Sequence, residues 1–102
     1  HVDDIVEGIV LALDKGWSQG PIQLGPSVCT SIKEIAEAVV EISEKEIDIF
    51  YDVSKPEGDK ARSADYSKAK KILGWEPTVS LLSGLSNQYQ WIKKQLEEDE
   101  LC

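Results

Sequence analysis

Methionine is absent from all 102 residues, and arginine, histidine and phenylalanine occur once each. Without an initiator at His1, the chain is expected to be a piece of a longer polypeptide or an expressed domain. Long apolar runs are missing as well. Nothing approaches the roughly 18 residues of a membrane span, and no secretory signal is visible, so no membrane partner is expected. Cysteine is limited to Cys29 and Cys102, too few and too unpatterned for a disulfide framework or a zinc site. A reducing cytoplasm is the expected compartment. Basic residues number 11 against 19 acidic ones, for a net charge of -8, which argues against nucleic acid or an anionic membrane as a general partner.

The remaining composition, 41% hydrophobic and 29% charged, is that of a soluble globular chain of one domain, residues 1–102, with a modest core. Residues 3 to 15 predict an amphipathic helix, because Ile5, Val6, Ile9, Val10, Ala12 and Leu13 recur at three- and four-residue intervals. Asp3 and Asp4 suit its positive N-terminus and Gly16 ends it. Pro21 to Leu24 reads as a short strand stopped by Gly25-Pro26. Ser31 with Glu34 forms a capping box for a second helix running to about Glu44. Glu46 to Tyr51 alternates polar and apolar residues, which predicts a second strand.

A strand, a helix and a strand with short joints make a βαβ unit, so the fold class expected is α/β: about four helices with a short two-stranded parallel sheet. Asp65 or Ser67 is placed to cap the third helix, which ends at Gly74, where a left-handed residue would turn Trp75 back onto the preceding turn. Ser80 opens the last helix with a stripe of Leu82, Leu85, Tyr89, Ile92 and Leu96, and the acidic tail 97–102 is expected to fray. Trp75 and Tyr89 fall where core bulk is needed, whereas Trp91 falls off the stripe.

The loop from Pro56 to the third helix carries the chemistry. It leaves the carboxyl end of the second predicted strand, where ligands of parallel sheets gather. It holds Lys60 and Arg62, follows Lys55, and includes Asp59 and Asp65. A guanidinium is always charged and presents a planar fork that suits phosphate. Taken alone, Arg62 fits either an exposed ion pair with a neighbouring carboxylate or an anionic ligand. Asp59 fits either a hydroxyl contact or a turn. No cluster here has metal-ligand spacing, and His1 has no partner for one.

The run Pro56-Glu-Gly-Asp-Lys-Ala-Arg-Ser-Ala-Asp-Tyr-Ser-Lys-Ala-Lys-Lys-Ile-Leu-Gly-Trp-Glu-Pro77 resembles the C-terminal portion of extended short-chain dehydrogenase/reductases, the NAD-dependent nucleotide-sugar epimerases and dehydratases. His1-Val-Asp-Asp resembles the family's (Tyr/His)-Val-x-Asp helix start, Pro21-Ile-Gln-Leu-Gly25 its Asn-(Ile/Leu)-Gly strand, and Ser31-Ile-Lys-Glu-Ile its next helix. The match covers nearly the whole chain in the right order. It implies a C-terminal substrate-binding subdomain that takes a nucleotide-diphosphate sugar, with Arg62 inheriting a diphosphate contact. In some branches that place lines the sugar pocket instead. Where the family often has arginine before Pro-x-Gly-Asp, this chain has Lys55, which keeps the charge without the fork.

The family's Rossmann half is missing. No G-x-x-G-x-x-G turn occurs, because Gly16, Gly20 and Gly25 are not spaced for one. Tyr51 and Lys55 have the bare spacing of the catalytic Tyr-x-x-x-Lys pair, but Pro56 makes a helix there implausible. The chain is therefore expected to be inactive alone, with no catalytic, cofactor-binding or metal-ligating residue. NAD would be bound by the missing N-terminal Rossmann domain of the full-length enzyme, an isomerase or dehydratase. An isolated piece would expose the face that meets that domain and would be prone to self-association. The alternative is a stand-alone acidic protein-interaction domain without enzymatic activity. Which nucleotide, which sugar and which reaction depend on residues outside this chain.

Overall fold

The computed structural model describes residues 1–100, with side chains described to Asp99. Leu101 and Cys102, the end of the acidic tail and the second cysteine, lie outside the described residues. Four helices are present: α1 (Val2–Lys15), α2 (Ile32–Ser43), α3 (Ser67–Leu73) and α4 (Leu81–Glu100). By their contacts the residues divide into two compact units. The first comprises His1–Cys29 and Gly58–Ser80, with α1 on α3; the second comprises Thr30–Glu57 and the chain from Leu81, with α2 on α4.

In the first unit the fully buried apolar side chains are Ala69, Leu73 and Trp75, with Leu11, Ala12, Ile22, Leu24, Tyr66 and Ile72 packed around them. α3 ends as its glycine requires. Gly74 takes φ 68°, and its N–H donates to the Lys70 carbonyl at 3.1 Å. The Trp75 N–H donates back to the Ala69 carbonyl at 3.3 Å, which turns the indole inward against Tyr66, edge to face at 6.1 Å. Gly74→Ala is expected to lower stability by about 1 kcal/mol, because a Cβ penalises the left-handed conformation. A urea midpoint equal to the wild type's would refute that assignment.

Asp4 is the buried charge of this unit, at 4% exposure. Its carboxylate accepts from the Thr78 hydroxyl at 2.9 Å, the Val79 N–H at 3.0 Å and the Thr78 N–H at 3.2 Å. Its carbonyl accepts from the Trp75 indole N–H at 2.8 Å. Asp3, one residue earlier, points outward beside His1, whose Nδ1 caps α1 by accepting the Asp3 N–H. Adjacent helical residues do point apart. The first-turn aspartates are thus not equivalent: one complements the helix dipole, and the other ties α1 to the segment after Pro77.

In the second unit the Ser31–Glu34 capping box forms as the sequence predicts. The Ser31 N–H donates to Glu34 at 2.7 Å, and the Glu34 N–H donates to Ser31 Oγ at 3.1 Å. Glu44 closes α2 in the left-handed region at φ 55°. Half-buried contacts come from Ile35, Ala36 and Val40 on α2 and from Leu85 and Tyr89 on α4, while Trp91 is exposed.

The predicted two-stranded parallel sheet does not form: the described residues contain no strand. Pro21–Leu24 belongs to the first unit and Glu46–Tyr51 to the second. A strand exists only through its ladder, and Pro21 has no N–H to give one. Around the first segment the polar groups are used otherwise. The Pro21 carbonyl accepts from Lys68 Nζ at 2.9 Å, and the Pro26 carbonyl accepts from the Ala64 N–H at 3.0 Å. In the second segment Ile49 is half-buried while Ile47 and Phe50 are exposed. Alternation in sequence predicts a buried face only where another layer covers it. The architecture is helical, and the α/β expectation fails on its β half.

Candidate functional site

The loop after Gly58 is held by the segment it crosses. The Asp65 N–H donates to Gln23 Oε1 at 2.9 Å, and the Ala64 N–H donates to the Pro26 carbonyl at 3.0 Å. Gly25 permits this approach, since a Cβ there would stand 2.9 Å from the Ala64 methyl. Asp65 then opens α3. Its Oδ1 accepts the Ser67 N–H at 2.9 Å, although Tyr66 is the formal cap. Bonds from the Ser67 N–H and hydroxyl hold the Asp65 carboxyl below its ordinary range. Lys68 donates to the Gln19 and Pro21 carbonyls, so the lysine of the Ser-Lys-Ala run is structural.

Between loop and segment lies an open cavity of about 420 Å³, lined by Gln23, Leu24, Pro26, Val28, Arg62, Ser63 and Ala64. Leu24, Pro26 and Val28 bring apolar groups to the lining, while Gln23, Arg62 and Ser63 bring polar ones. Arg62 is the cation of this lining. Its Nη1 stands 3.6 Å from Asp59 Oδ2, and both side chains are largely exposed, at 86% and 72%. Such an exposed pair contributes well under about 1 kcal/mol, so an incoming anion can take the guanidinium from Asp59 at little cost. Apolar side chains and a single cation in one lining suit a ligand with an aromatic or sugar body and a charged group.

The structure therefore brings Arg62 and Asp59 together. Lys55 belongs to the second unit, where its N–H donates to the Asp52 carbonyl at 3.4 Å in a turn. Asp52 accepts from the Ser54 hydroxyl at 2.6 Å and N–H at 3.1 Å, bonds that hold its carboxyl below the ordinary range. Tyr51 and Lys55 share no helix. Gln23 and Ser63 were not anticipated. The one signal for Gln23 is its polar character inside an apolar run, and nothing local marks Ser63.

The N-termini of α1 and α2 are each capped by a side chain, α1 by His1 Nδ1 and α2 by the Ser31–Glu34 pair. Among the described residues no group of three or more His, Cys, Asp or Glu could hold a metal ion. No helix there is long and apolar enough to cross a membrane.

No family model matches the chain. Whole proteins do. GDP-mannose 3,5-epimerase 1 of Oryza sativa subsp. indica is 36% identical over 99 residues, 97% of this chain and 26% of that protein. UDP-glucuronic acid decarboxylase 6 of Arabidopsis thaliana is 39% identical over 85 residues, 83% of this chain and 24% of the relative. Among solved structures, UDP-glucuronic acid 4-epimerase from Bacillus cereus, in complex with UDP-4-deoxy-4-fluoro-glucuronic acid and NAD, superposes with a TM-score of 0.80. It is 35% identical, and the match covers 92% of this chain and 31% of that one. The chain matches the C-terminal part of extended short-chain dehydrogenase/reductases. It matches the end of NAD-dependent nucleotide-sugar epimerases and spans under a third of the length of these relatives.

Proposed function

We propose that this chain is the nucleotide-sugar-binding part of an NAD-dependent epimerase or dehydratase and does no chemistry by itself. The observation that carries the proposal is the cavity beside Arg62, on a loop pinned at Ala64 and Asp65. Arg62 leaves Asp59 and takes the diphosphate through its fork of donors, which favours charge-assisted pairs. Asp59, released, accepts a ribose or sugar hydroxyl. Leu24, Pro26 and Val28 cover an apolar face of the ligand. NAD, held by another part of the full-length enzyme, would take up and return a hydride within one turnover. The residues here bind and orient, lending binding energy to a reaction centred elsewhere.

Calorimetric titration of the chain with UDP and GDP tests this. Wild type is expected to bind a nucleoside diphosphate, and Arg62→Ala to weaken binding by roughly tenfold to a hundredfold, the worth of charged hydrogen bonds at about 1.5–3 kcal/mol. Equal affinity in wild type and variant would remove Arg62 from the site.

A further inference from the structure

Aspartate and glutamate make up 19 of the 102 residues, yet the lining of the Arg62 cavity contains neither. The acids that flank it in sequence are turned to other partners, Asp59 to Arg62 at 3.6 Å and Asp65 to the Ser67 N–H at 2.9 Å. Within that lining Gln23 is held more firmly than an exposed glutamine needs to be. Its Oε1 accepts the Asp65 N–H at 2.9 Å, from 42 positions away in sequence. Its neighbours Ile22 and Leu24 pack on the Trp75 core, which fixes the backbone that carries it. A backbone N–H can be met only by an acceptor, so this bond decides which end of the carboxamide is oxygen and which is NH2. That NH2 has no partner among the described residues.

We infer that Gln23 Nε2 is a ligand donor of this site, giving a hydrogen bond to an acceptor oxygen of the bound nucleoside diphosphate. This rests on the proposed function above and adds a contact to it. A pin for the loop needs only an acceptor, and the Pro26 carbonyl already supplies one to the Ala64 N–H at 3.0 Å. A carboxylate at position 23 would accept the Asp65 N–H as well but would repel an anion from Arg62, so the loop alone does not require an amide. Gln23 brings a neutral donor in addition. With its oxygen engaged, the plane of the amide is set, and the entropy of ordering a long side chain is lost in folding rather than on binding. Arg62, by contrast, is 86% exposed and must leave Asp59 to meet a ligand. The cavity thus pairs one donor fixed in advance with one cation recruited on binding.

Proton–nitrogen correlation spectra of the isotope-labelled chain, titrated with UDP, decide the matter. The side-chain NH2 pair that disappears in Gln23→Met assigns the signal. This pair is expected to shift with UDP along the same binding curve as the Ser63 and Ala64 amides. Gln23→Met should weaken UDP binding roughly threefold to tenfold, the worth of one neutral hydrogen bond. Gln23→Glu keeps an acceptor for the Asp65 N–H, so the Asp65 amide signal should stay in place while UDP binding falls by at least as much. A parallel titration with inorganic pyrophosphate identifies the acceptor. A shift of the pair there assigns it to phosphate, and a shift with UDP alone assigns it to the base or ribose. UDP binding at Ser63 and Ala64 with the Gln23 pair unmoved overturns the inference and leaves the proposed function standing. Wild-type affinity in Gln23→Glu overturns it too, because Gln23 would then be a pin and nothing more. No response to UDP anywhere in the spectrum overturns both.

Discussion

Trp75→Ala is expected to cost about 3–5 kcal/mol of stability, the range for truncating a buried aromatic side chain. Trp75 is 1% exposed and is the largest fully buried side chain of the described residues. Its ring meets Tyr66 edge to face, and its N–H satisfies the Asp4 carbonyl. Removing it opens a cavity in a core whose other fully buried apolar members are only Ala69 and Leu73. Domains of this size have a few to about 15 kcal/mol in total, so the first unit should lose its structure near body temperature. Urea unfolding followed by far-UV circular dichroism reads this directly. Trp75→Phe keeps most of the bulk and loses the indole hydrogen bond, so it should fall between wild type and alanine. Equal midpoints for the phenylalanine and alanine variants would show that the hydrogen bond to Asp4, rather than packing, dominates.

Asp4→Asn should follow, at roughly 2–3 kcal/mol, because it opposes donor to donor in a buried place. The N–H groups of Thr78 and Val79 and the Thr78 hydroxyl all converge on the carboxylate oxygens. An amide offers one acceptor and turns its NH2 toward the remaining N–H. The pH dependence has a definite sign. Burial raises the Asp4 carboxyl, but bonds from the Val79 N–H, the Thr78 hydroxyl and the Thr78 N–H outweigh it, leaving the group below its ordinary value of 3.8. A carboxyl depressed in the folded state contributes its full stability above the unfolded value and loses it as pH falls through the folded one. The stability difference between wild type and Asp4→Asn should therefore be constant near neutrality and shrink below pH 3.8. A difference that stays constant into strong acid would mean that the carboxylate is not bonded as described.

Both predictions concern residues that the sequence places correctly but only half explains. Trp75 reads as core from the sequence, because Gly74 demands a left-handed turn and the next residue folds back. Asp4 reads as a helix-start charge, which it is, but that does not account for its burial. Its partners Thr78 and Val79 lie more than 70 positions away, and no periodicity links positions so distant. Arg62 stands out by composition, as the one arginine of an acidic chain, and its neighbour Asp59 lies three residues back in the same loop. The cavity beside it also needs Gln23, Leu24, Pro26 and Val28, which arrive from a different segment.

Local signals settled the helices, the Ser31–Glu34 box, the Gly74 stop and the order of motifs that marks the family, because each depends on residues within about one or two helical turns. Tertiary structure decided whether the extended segments became strands, which first-turn aspartate was buried, and which side of α1 met the core. Ladders, buried hydrogen bonds and packed faces need a partner from elsewhere in the chain, and a sequence pattern states the demand for that partner without saying who supplies it.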